Sequence, residues 1–310
     1  METYILDIQR MSTEDGPGLR TTVFFKGCNL QCSWCHNPES IAFERQTYWV
    51  KDKCIGCLTC VNGCPNGALS AQEAGIVKDI TKCQSCFICA QECPTLAMEQ
   101  KGEAYSPKQL FEELVKDKVY FEKSGGGITL SGGEPVLHSE YTLELAKLIK
   151  AEGIHIALDT AGCYPPQRLE RLLPYIDLVL YDIKLADSAK HKANTGVENT
   201  LILENAKKLG ALAKPAVWVR TPIIPGATDD EDNIIAIGAF IAEYMPNIEK
   251  WELLSFNNLA KDKYSLLGRQ WAHAGDALIK KQKMQHLCAL ASKFSNRACW
   301  SGATLLEVEV

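Results

Sequence analysis

Three cysteines close to the N-terminus, Cys28, Cys32 and Cys35, stand in the run Gly27-Cys28-Asn29-Leu30-Gln31-Cys32-Ser33-Trp34-Cys35-His36. This CxxxCxxC spacing offers three thiolates from one short loop, with no fourth cysteine beside them. A [4Fe–4S] cluster has four irons and is ordinarily held by four thiolates. Three ligands leave one iron free to bind a substrate or cofactor directly, as the open position of a catalytic metal site does. The plainer alternative is a zinc knuckle completed by His36 or His138, but zinc sites present CxxC pairs rather than this spacing. The loop reads as chemistry.

Eight further cysteines form an internal repeat. Cys54-x2-Cys57-x2-Cys60-x3-Cys64-Pro65 recurs 29 residues later as Cys83-x2-Cys86-x2-Cys89-x3-Cys93-Pro94. The doubled run is that of a two-cluster ferredoxin, in which the fourth cysteine of each run ligates the other cluster. One [4Fe–4S] cluster is therefore expected on Cys54, Cys57, Cys60 and Cys93, the other on Cys83, Cys86, Cys89 and Cys64. Electron relay and a bracing or docking role both remain open for them, with structural zinc a further alternative. Cys163, Cys288 and Cys299 lie outside the clusters and read as ordinary small buried residues.

The chain has 310 residues, 46% of them hydrophobic, which is ample for a large core. A net charge of −5 and a pI near 5.8 argue against a general nucleic-acid binder, which needs a basic face. No apolar run approaches the roughly 18 residues that span a bilayer. The start, Met1-Glu2-Thr3-Tyr4-Ile5-Leu6-Asp7, lacks the basic and apolar regions of a signal peptide. A cytoplasmic protein that binds neither membrane nor nucleic acid is expected, its fourteen cysteines serving metal rather than disulfides.

The elements that must position these residues alternate. Strand-like runs fall at Thr22–Phe25, Ile128–Leu130, Ile154–Leu158, Leu178–Tyr181, Val217–Val219 and Trp251–Leu254. Helical stretches lie between them: Lys108–Phe121 behind Ser106-Pro107, Tyr141–Lys150 behind Ser139, and Asp229–Tyr244 behind an acidic first turn. Strand then helix, about six times, predicts an α/β fold: a partial (β/α)6 barrel over 1–49 and 101–310. A ferredoxin-like insert with two [4Fe–4S] clusters interrupts it over 50–100. In such barrels the chemistry sits at the C-terminal ends of the strands. The first cysteine loop directly follows Thr22–Phe25.

Further motifs stand in order along this frame. Ser131-Gly132-Gly133-Glu134-Pro135 follows Ile128–Leu130, and paired glycines at a strand end let a ligand approach the backbone closely. Together with the cysteine loop it resembles the radical S-adenosylmethionine superfamily. The resemblance implies that the methionine amino and carboxylate groups bind the open iron, with Gly132, Gly133 and Glu134 holding the ammonium. One electron then breaks a carbon–sulfur bond, giving methionine and a 5′-deoxyadenosyl radical. Trp34 matches the aromatic position against adenine, with simple loop packing as its alternative.

Asp15-Gly16-Pro17-Gly18-Leu19-Arg20-Thr21 narrows the resemblance to the activating enzymes of glycyl radical enzymes. Asp159-Thr160-Ala161-Gly162 is similar to their DTNG segment, and Tyr181-Asp182-Ile183-Lys184 to their DxK segment. By the same resemblance the Asp159 and Asp182 carboxylates, with backbone oxygens of Thr160 and Leu180, form a monovalent-cation site. Helix capping is the alternative for both aspartates. Lys184 and Arg220 match residues near the cofactor carboxylate and the incoming peptide, where Asp15 also belongs; solvated surface charge is their alternative. After the last strand the family often reads LPYH, whereas this chain has Leu254-Ser255-Phe256-Asn257, so Asn257 replaces the histidine that reaches the cofactor's sugar.

The expected protein is thus an oxidoreductase with three [4Fe–4S] clusters and S-adenosylmethionine (SAM). It takes electrons from a low-potential donor such as flavodoxin or ferredoxin, and removes a hydrogen atom from a backbone glycine of a partner enzyme. A radical enzyme acting on a small molecule, or an iron–sulfur electron-transfer protein, are the alternatives. The sequence does not name the partner, since decarboxylases, dehydratases and carbon–nitrogen or carbon–sulfur lyases share this layout.

Overall fold

The structure, a computed structural model, describes residues 2–305. Its strands are β1 (Thr3–Ser12), β2 (Arg20–Phe25), β3 (Gln46–Trp49), β4 (Leu69–Gln72), β5 (Gly75–Lys78), β6 (Met98–Lys101) and β7 (Glu103–Tyr105). They continue with β8 (Gly127–Gly132), β9 (His155–Thr160), β10 (Leu178–Asp182), β11 (Ala216–Ile223), β12 (Lys250–Ser255) and β13 (Ala298–Ser301).

Among the described residues, nine strands form one sheet in the order β13-β12-β11-β10-β9-β8-β2-β1-β7. From β2 to β13 every neighbouring pair is parallel, while β1 runs antiparallel to both β2 and β7. The order is linear, so β13 and β7 are edges and the sheet stays open. All six expected strands are present, each one to five residues longer than its apolar run. The mostly parallel α/β class is as expected. β13 and the antiparallel pair β1 and β7 are additions to it.

Burial explains the sequence pattern. Val23, Phe25, Ile128, Leu130, Ile156 and Leu158 have no exposed surface or almost none, because helices cover the sheet. The helix Ser139–Ala151 buries Tyr141, Thr142, Leu145, Ala146 and Ile149, one stripe at helical spacing. The helix Glu231–Tyr244 buries Ile234, Ile237, Gly238 and Ile241. The stretch expected as one helix from Lys108 to Phe121 is two. Ser106 and Gln109 cap the first reciprocally, and it ends at Leu114; a tight turn at 115–117 precedes a second helix, Lys118–Ser124. The break has a cause. Asp117 is buried and accepts hydrogen bonds from Arg10 and from Thr21 Oγ1, so the chain must dip toward β2 there.

The eight-cysteine segment stands apart from this core. β3 pairs with β6 in an antiparallel ribbon, Gln46 opposite Lys101 and Trp49 opposite Met98, so β3 lies just before the expected boundary at 50 and β6 runs across the one at 100. Beyond it lie the hairpin β4–β5 and two one-turn helices, Thr59–Asn62 and Ile88–Gln91. A small separate core of Cys60, Leu69 and Met98 holds them.

Candidate active site

The parallel strands end at a cleft of about 430 Å³. Its wall includes Asp15, Cys28, Cys32, Trp34, Cys35, Ser131, Gly132, Gly133, Asp159, Thr160, Asp182, Lys184, Arg220 and Asn257. The expected barrel-site residues are therefore on one surface, with two exceptions, Glu134 and Leu180.

The cysteine loop is held on three sides by backbone. Gly27 N and Cys28 N donate to Ser40 O and Ile41 O at 2.7 and 3.0 Å. Gln31 N and Ser33 N donate to Thr195 O and Asn194 O at 2.8 and 2.9 Å, at the end of the helix Ser188–Thr195. Glu134 N donates to Gly27 O at 2.8 Å, tying the glycine motif to the cysteine loop. This contact dictates the glycines. A Cβ on Gly133 would fall 2.3 Å from Gly27 O, and one on Gly132 (φ +101°) 2.4 Å from Phe25 N. Burial pushes all three thiols up, Cys35 to about 12. The zinc alternative fares poorly, because both ring nitrogens of each candidate histidine are engaged. His138 bonds Lys26 O and Thr3 Oγ1. His36 bonds Asn257 O and Asn257 Nδ2.

Sequence reasoning missed a second support for this loop. The segment after β12 lays Tyr264, Trp271 and His273 against it. Trp271 Nε1 donates to Ser33 O at 3.1 Å; His273 Nε2 bonds Ser33 Oγ at 3.1 Å while its Nδ1 meets Asp276 at 2.7 Å. Tyr264 stacks on Trp271, and Trp34 meets His273 edge-on. The signal was available only as aromatic density in Trp271-Ala272-His273, some 240 residues from its partner.

The cleft's charges pair with one another. Arg220 bonds Asp159 and approaches Asp182 at 3.4 Å; Lys184 Nζ meets Asp182 at 2.5 Å. Ser131 Oγ donates to Asp159 at 2.6 Å. Burial alone would raise Asp182, yet Lys184 and Arg220 outweigh it and hold its carboxyl low. The same carboxylates outweigh burial at Arg220 and Lys184 and keep both charged. Two carboxylates thus face two cations, with Asp15 a further acid on the same wall, so a monovalent cation on Asp159 and Asp182 would meet carboxylates already paired with Arg220 and Lys184. Leu180 is buried inside the sheet, its place in β10 opposite Asp159. Asp15 accepts from Ser12 Oγ and Thr22 Oγ1 at 2.6 and 2.7 Å, which fixes it at the cleft's rim.

Glu134 is placed differently from expectation. Its side chain is fully buried and faces β9, accepting from Thr160 Oγ1 and Ala161 N at 2.9 Å and from Val136 N at 3.2 Å. Burial pushes its carboxyl up to about 7 against these bonds. The physical reason is the Thr160 hydroxyl, which captures both carboxylate oxygens. Gly132 and Gly133 line the cleft; Glu134 positions the turn that carries them.

The eight insert cysteines surround two small cavities. One is lined by Cys54, Cys57, Cys60 and Cys93, the other by Cys64, Cys83, Cys86 and Cys89. These are the crossed sets of the repeat. Donors point at several sulfurs: Ala68 N at Cys64, Met98 N at Cys93 and Thr59 Oγ1 at Cys57, at 3.3 to 3.4 Å. Cys163 is buried; Cys288 and Cys299 are half-buried and line neither the cleft nor the two cysteine cavities.

The family model for the Radical SAM superfamily matches residues 22–236. The trans-4-hydroxy-L-proline dehydratase activating enzyme of Clostridioides difficile is 39% identical over 96% of this chain and 99% of its own. The indoleacetate decarboxylase activating enzyme of Tractidigestivibacter scatoligenes is 38% identical, covering 93% of each. The benzylsuccinate synthase activating enzyme of Thauera aromatica is 40% identical over 86% of this chain and 82% of its own. A radical SAM methyltransferase from Sphaerobacter thermophilus superposes with a TM-score of 0.55 at 12% identity, over 96% and 77% of the two chains, which speaks for the fold alone. The chain belongs to the radical SAM superfamily, in its group of activating enzymes for glycyl radical enzymes.

Proposed function

We propose that the cleft binds a site-differentiated [4Fe–4S] cluster and SAM, and that it presents them to a backbone glycine of a partner glycyl radical enzyme. One observation carries this reading: the three-thiol loop, the Gly132–Gly133 turn and Asp15 of the DGPG segment share a single wall. The cleft fits its contents. At about 430 Å³ it lies within the range of cofactor pockets, and its three thiols leave one iron without a protein ligand.

When bound, the cluster and SAM supply an electron and the 5′-deoxyadenosyl radical. The chain's own residues then hold and shield. Cys28, Cys32 and Cys35 anchor the cluster, and the backbone of Gly132 and Gly133 admits the methionine end closely. Trp34, 6% exposed, offers an apolar ring for adenine, and Asn257 a donor for the sugar. Lys184 and Arg220, kept charged by Asp182 and Asp159, face the cofactor's carboxylate, with Thr160 bracing the same wall. Asp15 at the rim meets the arriving glycine loop. No residue need act as general acid or base, because electron and hydrogen-atom transfer carry the reaction.

We assign residues 50–100 as a ferredoxin-like domain with two further [4Fe–4S] clusters, the rest of the chain forming the partial barrel. Crossed four-cysteine cavities with N–H and O–H groups aimed at sulfur fit such clusters. Trp49 Nε1, buried with no hydrogen-bond partner among the described residues, adds a donor beside the Cys54 set. A low-potential flavodoxin or ferredoxin would feed them. A reducing cytoplasmic location agrees with fourteen free thiols. Among the described residues no helix is long and apolar enough to cross a membrane.

The test is direct. Anaerobically reconstituted protein, given SAM and a low-potential reductant, is expected to release 5′-deoxyadenosine and methionine. Co-expressed with its partner, it should give that partner a long-lived EPR doublet. Absence of 5′-deoxyadenosine from fully loaded protein would reduce the chain to electron transfer; cleavage without any partner doublet would favour a small-molecule substrate.

A further inference from the structure

The two four-cysteine cavities are not equivalent in their relation to the sheet. β3 and β6 leave the barrel side by side, from Gln46 and Lys101 at the base to Trp49 and Met98 farther out. The Cys64/Cys83/Cys86/Cys89 cavity lies against Thr47, near the base. The Cys54/Cys57/Cys60/Cys93 cavity lies against Trp49 and Met98. Two residues of strand separate these levels by roughly 7 Å.

The inner cavity also has a bridge to the catalytic loop. Phe87, between Cys86 and Cys89, is buried, and the Arg45 guanidinium sits 4.4 Å from its ring centroid. The same guanidinium lies 5.3 Å from the ring of Tyr4 in β1. Tyr4 O accepts from Lys26 N at 2.9 Å, two residues before Cys28. Phe43 closes the same corner, since a Cβ on Gly27 would fall 2.4 Å from its ring. Ring, cation, ring and one hydrogen bond thus connect the inner cysteines to the reactive ones.

We infer that Arg45 joins the inner site to the catalytic loop, so that an electron leaving the outer site passes the inner one before it reaches the cluster on Cys28, Cys32 and Cys35. The inference rests on the proposed occupancy of both insert sites. One electron moves per SAM cleaved, donated by a low-potential one-electron carrier protein, flavin or iron–sulfur; no proton or group moves with it. Arg45 acts as a positioning residue. Its charge beside Phe87 favours the more negative, reduced form of the inner cluster, because nearby charge helps set cluster potentials.

The experiment is an EPR-monitored redox titration of fully reconstituted wild-type, Arg45→Gln and Arg45→Lys protein. Cys57→Ser and Cys86→Ser identify the signals of the outer and inner clusters. Arg45→Gln is expected to lower the inner cluster's reduction equilibrium tenfold, about 59 mV for one electron, and to leave the outer one unchanged. Freeze-quenched reduction of the catalytic cluster by reduced ferredoxin should slow tenfold or more. Arg45→Lys, which keeps the charge, should stay near wild type. A shift in the outer signal, in neither, or equally in both Arg45 variants would overturn the proposal. Iron content separates this failure from that of the underlying reading: about 12 irons per chain for three clusters, about 4 if the insert is empty.

Discussion

The barrel cleft and the eight-cysteine segment set the same side chain in opposite surroundings. In the cleft, three cysteines face about 430 Å³ of space whose wall also carries Asp159, Asp182, Lys184 and Arg220. In the insert, each four-cysteine set closes on a small cavity, the Cys54 one walled mainly by apolar side chains such as Ile55 and Met98, the Cys83 one by a mixture that includes Phe87, Leu69, Asn66 and Lys78. A missing fourth ligand matters only where a cofactor can reach the iron, and of these three sites the cleft alone has room for one. Four ligands around a closed cavity would leave nothing to bind, which suits electron carriage.

Deleting one thiol from each region should break this comparison most sharply. Cys32→Ala is expected to abolish 5′-deoxyadenosine formation with any reductant, as read by chromatography of the quenched reaction. Cys86→Ala should keep cleavage with dithionite, which enters the cleft directly, and lose most of it with a protein donor. Persistent cleavage by Cys32→Ala would overturn the catalytic assignment. Unimpaired turnover of Cys86→Ala with a protein donor would rule out the relay.

The regions should differ nearly as much in packing tolerance. Gly132 needs φ +101° and has the backbone of Phe24 and Phe25 within 2.6 Å of any added Cβ. Gly67 in the insert has φ +54° and nothing within 4 Å. Gly132→Ala is expected to destabilise the protein by about 3 kcal/mol or more, since backbone cannot move aside. Gly67→Ala should lose only the left-handed strain, about 1 kcal/mol. Urea midpoints of the anaerobic proteins check both; equal losses would mean that the motif's glycines serve the ligand alone.

What could be read from the sequence followed from local pattern. Six buried strands announce themselves as apolar runs because the sheet is buried along most of their length, and the cysteines by spacing. β13 did not, since Ala298-Cys299-Trp300-Ser301 is four half-buried residues at an edge. The helix break at 115–117 depends on Asp117 meeting Arg10 and Thr21, about a hundred residues away. Glu134 illustrates the limit best. Its motif was legible, but its direction is set by the Thr160 hydroxyl on the next strand, a contact no spacing encodes.

Carboxylates give the smallest and most discriminating contrast. In the insert, Glu99 is held low by hydrogen bonds from Lys101 and Lys53; it stabilises the fold above the ordinary glutamate value, and that contribution fades as pH falls through its folded one. Glu134 has the opposite sign. Its folded value of about 7 exceeds the unfolded value of about 4.3. Between the two, the unfolded chain has released a proton that the folded chain keeps, so stability falls as pH rises, by at most about 1.4 kcal/mol per unit. Below about 4.3 the penalty is absent, and above 7 it is complete. Urea midpoints from pH 5 to 7 should decline in wild type and flatten in Glu134→Gln. SAM sharpens the point. An ammonium meeting the carboxylate would pull it down and erase the decline, whereas a carboxylate bound only to Thr160, Ala161 and Val136 would keep it. The inward orientation calls for the decline to survive saturation with SAM; its loss would place Glu134 against the cofactor after all.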